Sequence, residues 1–256
     1  MIIRKSAAEL DTMAQGGAIV ADTLALLGEH IRPGVTTAEL DRIAEEYIHS
    51  RGAVSSFRDY PGPYPYPAAT CLSLNEVVVH GIPGEQALVD GDVLSVDVGV
   101  TYGGFVADSA QTFRVGDVDP EAERLLETCE AALWAGIEKA RAGAHLTDIS
   151  HAVQAVTEDA GFSVVRSLVG HGVGRNMHED PQIPNFGEPG RGPVLAPGMT
   201  LAIEPMITAG DADGVVREDR WTIATRDGSL AAHFEHTVAV TDGEPRILTA
   251  APVRVS

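Results

Sequence analysis

Cysteine is scarce: Cys71 and Cys129 are the only two in 256 residues. They match no zinc-ligand spacing, and a chain of this size with two cysteines is no disulfide scaffold, so both are expected to be free thiols. Basic residues are also few, 18 Lys and Arg against 37 Asp and Glu, which gives a formal net charge of −19. That balance leaves no basic footprint for nucleic acid and no general attraction to anionic membranes. Long apolar runs are missing too. No segment approaches the ~20 residues of a membrane span, and Arg4 and Lys5 are not followed by an apolar stretch. A cytoplasmic protein is expected. The acids are scattered, as on a solvated surface, with a few available for binding cations. At 44% hydrophobic residues, the chain can bury a full core, as one large domain or two fused small ones.

What is present is strong local punctuation. Ser6-Ala-Ala-Glu9 and Thr36-Thr-Ala-Glu39 read as capping boxes, opening helices that run to about Gly28 and Gly52. Asp119-Pro120-Glu121 opens a third helix with proline at its first position, and Thr147-Asp148 a fourth that ends at Gly161. Shifted by 109 residues, Arg32-Pro-Gly34 falls on Arg141-Ala-Gly143 and Gly52 on Gly161. Shifted by 107, Gly91-Asp-Val-Leu-Ser-Val-Asp97 resembles Gly198-Met-Thr-Leu-Ala-Ile-Glu204, and His80-Gly precedes the first as His171-Gly precedes the second. The repeated order predicts an α+β domain over residues 1–256, built of two pseudo-symmetric halves, about 1–115 and 116–250. Helices are expected to cover one side of a sheet with the acids on the other, and Asp97 and Glu204 to be symmetry mates facing a central cleft.

The stretch from Ser95 to Thr112 has two apolar arms around Tyr102-Gly103-Gly104, a hairpin signal because such turns need positive φ. With the turn centred between Tyr102 and Gly103, Asp97 would lie directly opposite Asp108, and like charges so placed call for a cation between them. Later, Trp221 to Thr225 and Leu230 to Val240 read as strands, the second with His233, Glu235 and Thr237 on one face. Between helix and hairpin, Tyr60-Pro-Gly-Pro-Tyr-Pro-Tyr66-Pro67 forbids a helix and makes a stiff loop, either a plain surface connection or an aromatic rim to the cleft.

Four acids on apolar strands, Asp97, Asp108, Glu204 and Glu235, cannot share a buried face as bare anions. Divalent cations remove the difficulty. With His171 the donor set is oxygen-rich with one nitrogen, suited to Mn, Fe(II), Co or Zn in an open catalytic site. Two such ions activate a water and polarise a carbonyl, which is the chemistry of amide hydrolysis. His80 and His171 each precede Gly at the end of an apolar strand, and His178 lies in a glycine-rich turn able to fold back on the same place.

These residues carry a resemblance. Asn75-Glu-Val-Val-Val-His80-Gly-Ile-Pro83, the Asp97 and Asp108 pair, His171-Gly-Val-Gly-Arg-Asn-Met-His178-Glu-Asp-Pro, Ile203-Glu204-Pro205 and Glu235-His236-Thr237 together resemble the type I methionine aminopeptidases of the short bacterial form. The resemblance covers nearly the whole chain. It implies the duplicated pita-bread fold, a curved antiparallel sheet with helices on its outer side and a central metal cleft, and a metal-dependent aminopeptidase that removes the initiator methionine from nascent proteins and peptides, with a small second residue. It implies two divalent ions bridged by Asp108 and Glu235, with His171 and Glu204 completing one sphere and Asp97 the other. His80 is implied as a contact to the substrate backbone, His178 as a donor to the developing oxyanion, and Glu204 as a proton shuttle. Tyr66, Cys71, Met177 and Trp221 are implied as the methionine pocket. Met177, where relatives often carry Phe, and the Pro-Tyr loop depart from the family pattern.

A proline-directed peptidase of the same fold is expected to carry a long N-terminal domain, for which 256 residues leave no room. A non-catalytic relative is expected to lose ligands, and all five are here. A monomer is the default expectation, and docking on the ribosome is left open.

Overall fold

The computed structural model describes residues 1–250; the last six residues of the expected domain, 251–256, lie outside the described residues. Its elements run α1 (Ala7–His30), α2 (Thr37–Ser50), β1 (Val54–Ser55), β2 (Cys71–Leu74), β3 (Val77–Val79), β4 (Val93–Tyr102) and β5 (Phe105–Arg114). Then come α3 (Pro120–Lys139), α4 (Leu146–Asp159), β6 (Ser163–Val164), β7 (Val169–Gly172), β8 (Glu179–Pro184), β9 (Thr200–Ile203) and β10 (Met206–Thr208). The chain closes with β11 (Gly214–Val216), β12 (Ile223–Thr225), β13 (Ala231–His233), β14 (His236–Ala239) and β15 (Arg246–Ile247). Every strand pairing is antiparallel. This is the α+β pita-bread fold.

The helices start where the caps place them. Ser6 and Glu9 make a reciprocal box, Ser6 N–H donating to Glu9 Oε2 at 2.9 Å and Glu9 N–H to Ser6 Oγ at 3.4 Å. Thr36 caps α2 through the Glu39 N–H alone, so only the N-cap half of the second expected box is found. Asp119 caps α3 with Pro120 inside the first turn. The fourth helix begins earlier than Thr147: His145 is its cap position, its N–H satisfied by Asp148 Oδ2 at 2.8 Å. Leu24, Leu27, Leu40 and Ile48 of α1 and α2 pack on Leu94, Val96, Val98 and Val100 of β4. Leu125, Leu133 and Ile149 of α3 and α4 pack on Leu201, Ile203 and Ile207. Each such side chain contributes about 1.5–3 kcal/mol on burial.

The same local arrangement occurs twice. Gly34 N–H donates to Leu88 O and Leu88 N–H to Val35 O; later, Gly143 N–H donates to Leu195 O and Leu195 N–H to Ala144 O. Thr36 bridges Ala87 as His145 bridges Val194, and Ser55 pairs with Val100 as Val164 pairs with Ile207.

Two expectations are corrected. The hairpin turns on Gly103 and Gly104, both at positive φ (56° and 80°), so the register differs from one centred on Tyr102-Gly103. Asp97 therefore faces Ala110, and Asp108 faces Gly99, which has no side chain. The carboxylates are diagonal neighbours on one face, not a directly opposed pair. The Leu230–Val240 strand is also broken, at Phe234-Glu235, into β13 and β14, which belong to different sheets. The break mirrors one across from it: Pro205 has no N–H, so the ladder cannot run from β9 into β10. Phe234 N–H reaches Pro205 O at 3.4 Å, and Glu235 N–H turns instead to Ala110 O on β5 at 2.9 Å. Glu204 and Glu235 thus sit at adjacent kinks.

Side chains stitch β5 to β13 and β14. Thr112 Oγ1 donates to His233 O at 2.8 Å and accepts from His233 N–H at 2.9 Å. Thr237 Oγ1 does the same with Asp108, at 2.8 and 3.1 Å. The chain's ends also cross over. Ile2 packs on the core under α3 and α4, and Lys5 N–H donates to Gly198 O at 2.7 Å. Leu248 returns to α1, where a Cβ on Gly17 would lie 2.0 Å from its carbonyl oxygen.

Candidate metal centre

β4 and β5 deliver Asp97 and Asp108, β7 delivers His171, and the two kinks deliver Glu204 and Glu235. All five line one cleft, open at its mouth. Asp108, His171 and Glu235 are buried, and a ligand atom from each lies within 4.8 Å of the others. His171 Nε2 is 3.5 Å from Glu204 Oε1 and 3.9 Å from Asp108 Oδ2. These distances are too long for hydrogen bonds. They suit two donors each about 2.0–2.2 Å from one ion.

The unsatisfied atoms point the same way. Asp97 Oδ1, Asp108 Oδ1, Glu235 Oε1 and His233 Nε2 are buried without a hydrogen-bond partner. Orphaned acceptors on three neighbouring acids, Asp97, Asp108 and Glu235, fit a cation. Burial and the charges of Asp108 and Glu204 hold the Asp97 carboxyl well above the usual range. Burial pushes Asp108 up to about 7, and burial with the neighbouring carboxylates raises Glu204 and Glu235. Without a cation, these acids hold their protons to higher pH than free carboxylates do. Burial, reinforced by His178, pushes His171 down to about 4, leaving a neutral imidazole fit to ligate.

The histidines flank this centre. His80 follows β3 at φ +59°, a left-handed conformation that is strained for a side-chain-bearing residue. Burial and His178 push it down to about 4. His178, at the mouth, has its ring centroid 4.4 Å from that of His171, and its Nδ1 is 2.6 Å from the Tyr60 hydroxyl. Tyr66, Cys71, Met177 and Trp221 line the same cleft. Tyr66 donates to Gly81 O at 2.9 Å and meets Trp221 edge-on at 5.2 Å. Cys71 pairs with Asp97 across β2 and β4, and it and Cys129 are free thiols. Of the two readings of the Pro-Tyr loop, the aromatic rim is the one found, since Tyr60 and Tyr66 are in the wall.

Phe57 lines the wall without having been singled out, and His233 stands beside the centre, its Nε2 3.6 Å from Glu204 Oε2 and 3.8 Å from Glu235 Oε2. For His233 there was a signal, its place two residues before Glu235. Phe57 gave none.

Comparison with known proteins agrees with this geometry. The profile of metallopeptidase family M24 matches residues 11–242. A methionine aminopeptidase of Clostridium perfringens is 52% identical over 249 residues, 97% of this chain and 99% of the relative. The crystal structure of methionine aminopeptidase from Rickettsia prowazekii superposes with a TM-score of 0.95 at 39% identity, covering 98% of this chain and 100% of that one. Prolidase from Pyrococcus furiosus shares the fold alone, with a TM-score of 0.78 at 21% identity over 66% of its length.

Proposed function

The chain belongs to metallopeptidase family M24, and from its methionine aminopeptidase relatives, matched over nearly their whole length, we infer that its cleft hydrolyses the bond after an N-terminal methionine. It is a metallo-exopeptidase that requires divalent metal. The observation that carries this reading is the cluster of buried acids with orphaned oxygens around one neutral imidazole. We propose that Asp97, Asp108, His171, Glu204 and Glu235 would hold two divalent ions in this cleft. Ions held there supply Lewis-acid polarisation of the scissile carbonyl and a water acidic enough to attack it near neutral pH. Mn, Fe(II), Co and Zn all suit this oxygen-rich donor set.

The chain's own residues supply the rest. We assign the Tyr60 hydroxyl, 2.6 Å from His178 Nδ1, as the donor of that bond, which leaves the His178 proton on Nε2 to serve as a hydrogen-bond donor to the oxyanion. His80, neutral and held by the turn after β3, contacts the substrate backbone. Glu204, raised by burial and partly open to the cleft, accepts a proton and returns it to the leaving amine. Tyr66, Cys71, Met177 and Trp221 form a soft wall of sulfur and aromatic groups for a thioether chain. The doubled hydrogen-bond pattern supports a single catalytic domain of two related halves. We assign a small second residue to the preferred substrate and take the protein as a cytoplasmic monomer acting on nascent chains. Among the described residues no helix is long and apolar enough to cross a membrane.

The test is release of methionine from Met-Ala-Ser by metal-stripped protein given back Mn, Fe(II), Co or Zn, with Xaa-Pro and Leu-Ala peptides as controls. Metal-restored release of methionine alone is expected. Cleavage of Xaa-Pro instead, or no turnover with any metal, would overturn the reading.

A further inference from the structure

One buried group in the centre has no part in the mechanism above. His233 is 2% exposed, and its Nε2 has no hydrogen-bond partner. The backbone that carries it is fixed on both sides: its N–H and carbonyl are both held by Thr112 Oγ1, which is itself 2.8 Å from Ser95 Oγ. The ring is therefore presented to the centre by a pinned strand end.

Glu204 lies between two imidazoles. His171 Nε2 is 3.5 Å from Oε1, and His233 Nε2 is 3.6 Å from Oε2. The two sides differ. On the Oε1 side, His171 also approaches Asp108 at 3.9 Å, and Asp108, His171 and Glu235 are the cluster whose ligand atoms converge. On the Oε2 side, the carboxylates that His233 Nε2 approaches among the described residues are Glu204 and, at 3.8 Å, Glu235 Oε2. A carboxylate with two equivalent free oxygens can exchange one for the other on an ion. A donor bonded to one oxygen leaves the other as the ligand and fixes its direction.

We propose that His233 is a positioning residue of the metal centre: its Nε2–H donates to Glu204 Oε2, so that Oε1, on the His171 side, is the oxygen offered to an ion. His233 is not itself a ligand. The 3.6 Å separation exceeds hydrogen-bond length, so the bond tightens when Glu204 is drawn into place on metal uptake. This inference rests on the metal-centre reading above.

The test compares His233→Gln, which keeps an N–H donor, with His233→Leu, which keeps bulk and loses it. Calorimetric titration of Mn(II) into the metal-free proteins reads affinity, and thermal melts report folding. His233→Leu is expected to weaken the first ion by about 10–100-fold, while His233→Gln stays within about threefold of the parent. In the Zn(II)-loaded parent, nitrogen NMR of the histidine rings is expected to show His233 Nε2 protonated, a readout that needs no variant. A metal-bound His233 nitrogen, a Gln variant as weak as the Leu variant, or two variants that bind like the parent would each overturn the proposal. A parent that takes up no ion would instead defeat the metal-centre reading.

Discussion

Stripping the metal leaves a protein whose stability declines as pH rises. Asp108 is pushed from 3.8 up to about 7 by burial, so the folded state holds a proton that the unfolded chain has released. Below the ordinary carboxylate value both states are protonated and there is no penalty. Between that value and about 7 the folded state binds more protons, so stability falls with each step in pH; above 7 the full penalty is in place. For Asp108 alone the interval corresponds to about 4 kcal/mol. In a chain of this size that is a fall in Tm of about 8–16 °C. Asp97, Glu204 and Glu235 shift the same way. Asp97→Asn removes one charge and leaves an amide able to donate to Asp108 as the protonated acid does. Metal-free Asp97→Asn should therefore melt higher than metal-free parent at about pH 8, with a shallower pH dependence, while losing methionine release. Melts followed by circular dichroism on chelator-treated proteins between about pH 5 and 8, at fixed ionic strength, read this directly. A parent that melts no lower at the alkaline end, or an Asn variant that is destabilised there, would refute the reasoning.

Three further outcomes are expected. His178→Ala should lower kcat by about 10²–10³-fold with metal uptake unchanged, and Tyr60→Phe should lose less, measured by steady-state methionine release. Gly99→Ala would place its Cβ 2.7 Å from Met177 Cε and 3.0 Å from Phe57; KM for methionine peptides should rise more than kcat falls, and an unchanged KM would count against Met177 as pocket wall. Lys5 and Glu179 form a buried ion pair at 2.7 Å, and Glu179 also accepts from Arg175 and Asn176 N–H beside His178. Lys5→Met should destabilise by about 3–5 kcal/mol in denaturant titration and lower kcat as well, and adding Glu179→Gln should restore part of the stability.

Much of this was legible in local signals. Ser6 with Glu9, Asp119 with Pro120, and the twin glycines of the hairpin act over a few residues, and the acids stood out because apolar strands do not carry charge without a reason. The register depended on which two residues occupy the turn's centre, a choice that Tyr102-Gly103-Gly104 leaves open until Tyr102 and Phe105 are seen paired. The break at Glu235 was not legible because its cause lies elsewhere, in Pro205 across the sheet. The Thr112 and Thr237 bonds join strands over 120 residues apart in sequence, and an ordinary strand threonine gives no sign of such a partner.

The crossed ends of the chain bear on how the molecule comes apart. Ile2 and Lys5 are built into the structure around residues 179–198, while Leu248 lies against Gly17 of the first helix. Each end of the chain is thus held by residues distant in sequence, and a single cooperative melt is expected. A chain that stops near residue 115 would lack His171, Glu204 and Glu235 and the segments that hold Ile2 and Lys5, and is expected to form no cleft.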